Sequence, residues 1–267
     1  MQFRKYHISG KDYIYCPDKN AFENLTKNRI IGICDRHQGV GADGIFTFYQ
    51  NSPKTSIIKG FSSNGECMRN FSSTSICALF ELFLTTGVTK HIFSSPNGDK
   101  FAVKTDISAS EPVFFCNLTY PSIDGIFSLK SKKTEIGNRI LSVTPVSLHG
   151  IYAVHFTECR DKLDIGYLGQ HISRNSLFRK EGNLILAEFT DKSALDISFY
   201  ENGTGCPRPE ISAFAATALA ACRNGSFSFG EEIAVSCNCN TVFVTCETEE
   251  EISISCSCEM VFDGNMA

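Results

Sequence analysis

Apolar and polar residues alternate with period two along most of this chain, and two segments break the alternation. Strand-like runs fall at residues 12–16, 44–49, 56–60, 91–94, 101–105 and 113–118, then at 152–156, 183–189, 195–200, 241–246 and 252–256. Clusters of Gly, Asn, Asp, Pro and Ser bound them, as expected for short strands joined by turns. The exceptions are residues 73–84, Ser-Thr-Ser-Ile-Cys-Ala-Leu-Phe-Glu-Leu-Phe-Leu, and residues 211–222, Ile-Ser-Ala-Phe-Ala-Ala-Thr-Ala-Leu-Ala-Ala-Cys. Both are apolar on nearly every side, the mark of a helix buried within a sheet structure. Gly87 and Gly225 follow them as C-caps. Strands, a buried helix and more strands, then the same again, predict two similar halves. The polar stretch at residues 128–138 suits a boundary, giving halves of 1–125 and 126–267, with the final strand able to return to the first half. Two mostly antiparallel sheets, each curled around one central helix, satisfy this α+β pattern, with the helix N-termini facing across an interdomain cleft.

The chain has 267 residues, 42% hydrophobic and 20% charged, enough for a real core. A net charge of −4 without a Lys/Arg block argues against nucleic acid. No apolar run approaches the ~18 residues of a membrane span, and the polar start lacks a signal-peptide pattern. A cytoplasmic location is expected. The thirteen cysteines then read as mainly buried apolar residues with a catalytic minority, rather than as disulfides. Cys237-Asn238-Cys239 and Cys256-Ser257-Cys258 offer four thiolates, but a single-residue spacer is not the usual zinc pattern. No metal and no cofactor are expected. The acidic run at residues 247–251 reads as a solvated hairpin turn.

Two stretches repeat one another. Cys67-Met68-Arg69-Asn70-Phe71-Ser72-Ser73 and Cys206-Pro207-Arg208-Pro209-Glu210-Ile211-Ser212 each place Arg two residues after Cys and Ser six after it, just ahead of a predicted helix. Two thiols facing one pocket could move a proton from one face of a carbon to the other.

The segment Ile33-Cys34-Asp35-Arg36-His37-Gln38-Gly39-Val40-Gly41-Ala42-Asp43-Gly44 resembles the diaminopimelate epimerase signature. The opening strand and loop, from Phe3 to Tyr13, and the closing strand, from Ile254 to Phe262, are similar to that family's as well. The resemblance implies two pseudo-symmetric αβ domains and a cofactor-independent amino-acid racemase or epimerase that uses two cysteines. The positions of those cysteines are replaced here. The first falls on Phe71 or Ser72, depending on the anchor, and the second on Glu210. Both glycine-rich anion-binding turns are gone. The substrate-contacting asparagines fall on Lys11, Ser62 and Gly150, while Asn183 and Glu201 match. Asn202 stands where the family has an arginine, which removes a bidentate carboxylate ligand. An amino acid or related carboxylate other than meso-diaminopimelate is therefore the expected substrate.

Cys67 and Cys206 each lie four residues ahead of the family's position, about one helical turn. One added N-terminal turn on each helix would return them to the helix start, where the dipole favours a thiolate. Pro207 suits a first helical position. On this reading Cys67 and Cys206 exchange the proton, and Arg69, Ser72, Ser73, Asn183, Glu201, Asn202, Arg208 and Ser212 bind the substrate. Glu210, paired with Ser72 or another group, is a second acid/base candidate, for an isomerase or lyase. A relative that has lost catalysis and serves in binding or structure is the remaining alternative. A homodimer is compatible with each.

Overall fold

The computed structural model describes residues 1–106, 113–119 and 130–266. The expected boundary between residues 125 and 126 lies outside them. The chain divides into two compact units, Met1–Leu118 with Ser255–Ala267, and Thr119–Ile254.

The first unit holds strands β1 (Gln2–Ile8), β2 (Lys11–Tyr15), β3 (Gly44–Ser52), β4 (Thr55–Ser62), β5 (Lys90–Ser94), β6 (Lys100–Asp106) and β7 (Val113–Thr119). Its helices are α1 (Lys19–Glu23), α2 (Lys27–Cys34) and α3 (Ser72–Thr86). Neighbouring strands follow chain order. The sheet closes where the last strand of the protein, β15 (Glu251–Asn265), lies beside β7 and pairs antiparallel with β1. The pairings β2–β3 and β4–β5 are parallel, because α2 and α3 respectively are inserted between those strands, and hairpin-linked neighbours are antiparallel. Helix α3 packs against β1, β2, β3, β5 and β6. Its residues from Ser72 to Leu82 are all buried, as the all-round apolar sequence requires. Gly87 ends it in the left-handed conformation, φ 73°.

The second unit holds β8 (Lys132–Ile136), β9 (Arg139–Ser147), β10 (Ile151–Phe156), α4 (Ile165–Arg174), β11 (Gly182–Asp191), β12 (Ala194–Tyr200), α5 (Ile211–Arg223), β13 (Glu232–Cys237) and β14 (Asn240–Cys246). Again neighbours follow chain order, β10–β11 and β12–β13 are parallel, and a helix fills each parallel crossover. Helix α5 is buried from Ile211 to Cys222 and packs against β9, β10, β11, β13 and β14. Gly225 follows its C-cap at φ 77°. Helix α4 covers β11 and β12 so closely that a Cβ on Gly169 would meet the Tyr200 ring at 2.1 Å.

Strand β8 falls within the polar stretch at 128–138 and buries Ile136 while exposing its lysines. The Cys237-Asn238-Cys239 triplet does not present two thiols on one strand face. Asn238 and Cys239 take left-handed φ values of 49° and 66° in the turn after β13, so Cys237 is buried and Cys239 exposed. Among the described residues no group of three or more His, Cys, Asp or Glu could hold a metal ion. None of the described helices is long and apolar enough to cross a membrane.

Candidate functional site

In the first unit the signature segment builds a charged corner. The Arg36 guanidinium grips both oxygens of Asp12, at 2.9 and 2.6 Å, and reaches Asp43 Oδ1 at 3.1 Å. Lys5 Nζ lies 2.9 Å from Asp12 Oδ2 and donates to the Gly41 carbonyl at 2.6 Å. Backbone N–H groups of Asp12 and Asp43 each donate to the other's carboxylate. Burial pushes the Asp12 carboxyl upward, but hydrogen bonds from Arg36 and Lys5 outweigh it and hold the group below the usual range. For Asp43 burial dominates, and its pKa is raised. The glycines here are required by space: a Cβ on Gly39 would lie 2.1 Å from the Gly32 carbonyl oxygen, and Gly41 has φ 74°. Lys11, in place of a substrate-contacting asparagine, is buried beside this corner and lowers Asp43 electrostatically.

The segment ahead of α3 is extended. Residue 67 bridges Phe61, and the N–H groups of Ser62 and Met68 donate to the carbonyls of Glu66 and Gly60. Helix α3 therefore starts at Ser72, with Phe71 as N-cap, and no extra turn reaches back to Cys67. Cys67 and Arg69 are exposed on that strand-like approach. Asn70 accepts a hydrogen bond from the Ser72 N–H at 2.9 Å. Four buried hydroxyls, Ser72 to Ser75, then line the first turn. Thr74 and Ser75 donate theirs to backbone carbonyls of Phe71 and Ser72. The fully buried Ser72 hydroxyl has no hydrogen-bond partner among the described residues. Leaving such a group unpaired costs about 1–3 kcal/mol.

The second unit repeats the arrangement with different chemistry. Helix α5 starts at Ile211 with Glu210 as N-cap, so Pro207 opens no added turn. The Glu210 side chain is buried and does not cap the helix. Cys206 and Arg208 are exposed in the irregular approach. Partial burial and the nearby Asp164 carboxylate push the Cys206 thiol up, the wrong direction for a thiolate base. In the first turn of α5, Ser212 Oγ shares a 2.8 Å hydrogen bond with the Tyr152 hydroxyl. Asn183 donates to the Ile151 carbonyl at 3.0 Å and accepts from the Asn202 N–H at 2.9 Å, while Asn202 donates to the Lys180 carbonyl. Glu201 begins a tight turn closed by its backbone bonds with Gly205.

The fold thus gathers the sequence candidates into three groups. Cys67, Arg69, Ser72 and Ser73 lie on the approach and first turn of α3. Cys206, Arg208, Glu210 and Ser212 do the same for α5. Asn183, near the start of β11, bonds Asn202, which with Glu201 follows β12. The sequence places Tyr152 in a strand but gives it no functional role, since only the fold brings its hydroxyl to Ser212. The start of α5 carries a buried carboxylate, and the start of α3 a buried hydroxyl without a hydrogen-bond partner among the described residues.

No protein-family model matches the chain. The diaminopimelate epimerase of Acetivibrio thermocellus is 26% identical over 222 residues, spanning 77% of this chain and 77% of that protein. A predicted epimerase of Pseudomonas aeruginosa superposes with a TM-score of 0.70 at 10% identity, covering 99% of this chain and 98% of that one. A probable proline racemase of Agrobacterium radiobacter, solved with bound carbonate, gives a TM-score of 0.70 at 11% identity, covering 100% and 92%. The chain resembles diaminopimelate epimerases over most of its length, and its fold is one shared by epimerases and racemases.

Proposed function

We propose that this chain is a cofactor-independent isomerase of the racemase or epimerase type, with Glu210 moving the proton at a carbon next to a carboxylate. The observation that carries this reading is Glu210 itself, a buried carboxylate immediately before the first residue of a buried helix. The resemblance expects a catalytic cysteine there. A carboxylate can serve the same acid/base role.

The two units are read here as pseudo-symmetric halves, each built around its helix. The support is the order of pairings: antiparallel, parallel, antiparallel, parallel, antiparallel, with α3 and α5 both inserted at the second parallel crossover. The substrate would be an amino acid or related carboxylate other than meso-diaminopimelate, because Asn202 spends its side chain on the Lys180 carbonyl where an arginine would grip a carboxylate.

A second reading keeps Cys67 and Cys206 as the exchanging pair. Its support is that both are exposed and stand at matched distances ahead of their helices. Solvent deuterium exchange at the α-carbon across a panel of amino acids, run on Glu210→Gln and on Cys67→Ser/Cys206→Ser, separates the two. Absence of exchange in the unaltered protein would favour a non-catalytic relative.

A further inference from the structure

Two cysteine pairs outside the candidate site are built alike. In the first unit Cys258 Sγ on β15 donates to Cys77 Sγ on α3 at 3.7 Å, across 181 positions of chain. In the second unit Cys246 on β14 is hydrogen-bonded to Cys222 on α5. Each pair joins the unit's long buried helix to a strand of its own sheet. The Cys77–Cys258 contact of 3.7 Å compares with a bonded S–S distance of about 2.05 Å.

We propose that Cys77–Cys258 and Cys222–Cys246 are oxidisable dithiols, each closing to a disulfide that ties its helix to its sheet. The oxidant is a hydroperoxide. In each pair the more exposed thiol, Cys258 or Cys222, gives up its proton, and its sulfur attacks the peroxide oxygen, forming a sulfenic acid and releasing water. The partner sulfur then attacks that sulfenic sulfur, expelling a second water as the S–S bond forms. The two thiols lose two hydrogens and two electrons, and one hydrogen peroxide becomes two waters. In the second pair the hydrogen bond from Cys246 pulls the Cys222 thiol down despite burial, which favours Cys222 as the attacking sulfur. Cys258 keeps 4% of its surface exposed and Cys222 5%, so each pair has one member within reach of a small oxidant. Each closure would rigidify the helix whose first turn carries Ser72 or whose N-cap is Glu210.

The test is disulfide mapping on the full chain. The protein is treated with hydrogen peroxide, quenched with an alkylating agent, digested without reduction and analysed by mass spectrometry. Two linked peptides are expected, one holding Cys77 and Cys258 and one holding Cys222 and Cys246, each lighter by two hydrogen atoms and separated by dithiothreitol. Cys77→Ser and Cys222→Ser should each remove one link and leave the other, and oxidation should raise the melting temperature of the unaltered chain. If either serine variant fails to fold, the link map of the unaltered chain decides. Oxidation confined to exposed Cys67, Cys206 and Cys239, with the four buried thiols still alkylated after unfolding, would overturn the proposal.

Discussion

The hydroxyls of Tyr152 and Ser212 stand 2.8 Å apart in the interior of the second unit, fastening β10 to the first turn of α5. Ser212 lies two residues after Glu210, so this bond fixes the helix start that carries the carboxylate. Tyr152→Phe should lower stability by about 1 kcal/mol, the usual worth of one buried hydrogen bond. A double-mutant cycle with Ser212→Ala in urea unfolding should return a coupling of about 0.5 kcal/mol or more. Purely additive losses would mean that the two hydroxyls do not depend on each other.

Acid should weaken the first unit through Asp12. Arg36 and Lys5 hold this carboxyl below its usual range, so their pairing contributes stability above the unfolded pKa of about 3.9, and loses it as pH falls below that. Asp43, raised by burial, acts in the opposite sense and favours the folded state in acid. Arg36→Ala should cost about 1 kcal/mol at neutral pH, since the guanidinium is half exposed. The variant should also lose less stability than the parent between pH 5 and about pH 3. Denaturant melts across that range check both statements.

A second pH window belongs to His91, which is buried and bonded to Ser56 Oγ at 2.9 Å. Burial lowers its pKa, so the folded state takes up the proton less readily than the unfolded chain. The contribution is full above the unfolded value of about 6.5 and falls away as pH drops through the folded pKa. His91→Gln should flatten the stability profile between pH about 7 and 5. An unchanged profile would mean that another group titrates there.

Gly39→Ala tests the signature turn. The added methyl would meet the carbonyl oxygens of Gly32 and Ile33 at 2.1 and 2.6 Å, both backbone atoms that cannot swing away. A loss of about 1–3 kcal/mol is expected from thermal or urea unfolding. Gly32→Ala, with nothing within 4 Å of its new Cβ, is the matched control and should be nearly neutral.

Much of this architecture is legible in the sequence, for identifiable reasons. Helices α3 and α5 are apolar all round and stop at Gly87 and beside Gly225, so neither periodicity nor caps mislead. Helices α2 and α4 escape notice because Gly32, Gly166 and Gly169 break their apolar stripes. Gly169 stands where Tyr200 leaves no room for a side chain. Strand β8 is too polar to stand out. At the site, the replacement of both cysteine positions is readable from the resemblance alone. The start of each helix is not: the proposed extra turns fail because residues 66–68 pair back along β4 and no helix forms across Pro207 and Pro209. The open Ser72 hydroxyl and the Tyr152–Ser212 bond depend on tertiary packing, which no local pattern encodes.

The most direct test of the account is deuterium incorporation from solvent at the α-carbon, followed by mass spectrometry over a panel of amino acids and related carboxylates. The unaltered protein should exchange at least one of them. Glu210→Gln should slow that exchange by about 100-fold or more, as loss of a positioned acid/base group does, while Cys67→Ser/Cys206→Ser should retain it. Exchange that survives Glu210→Gln and disappears with the two thiols would contradict the assignment of Glu210, and no exchange with any compound in the unaltered protein would contradict catalysis itself.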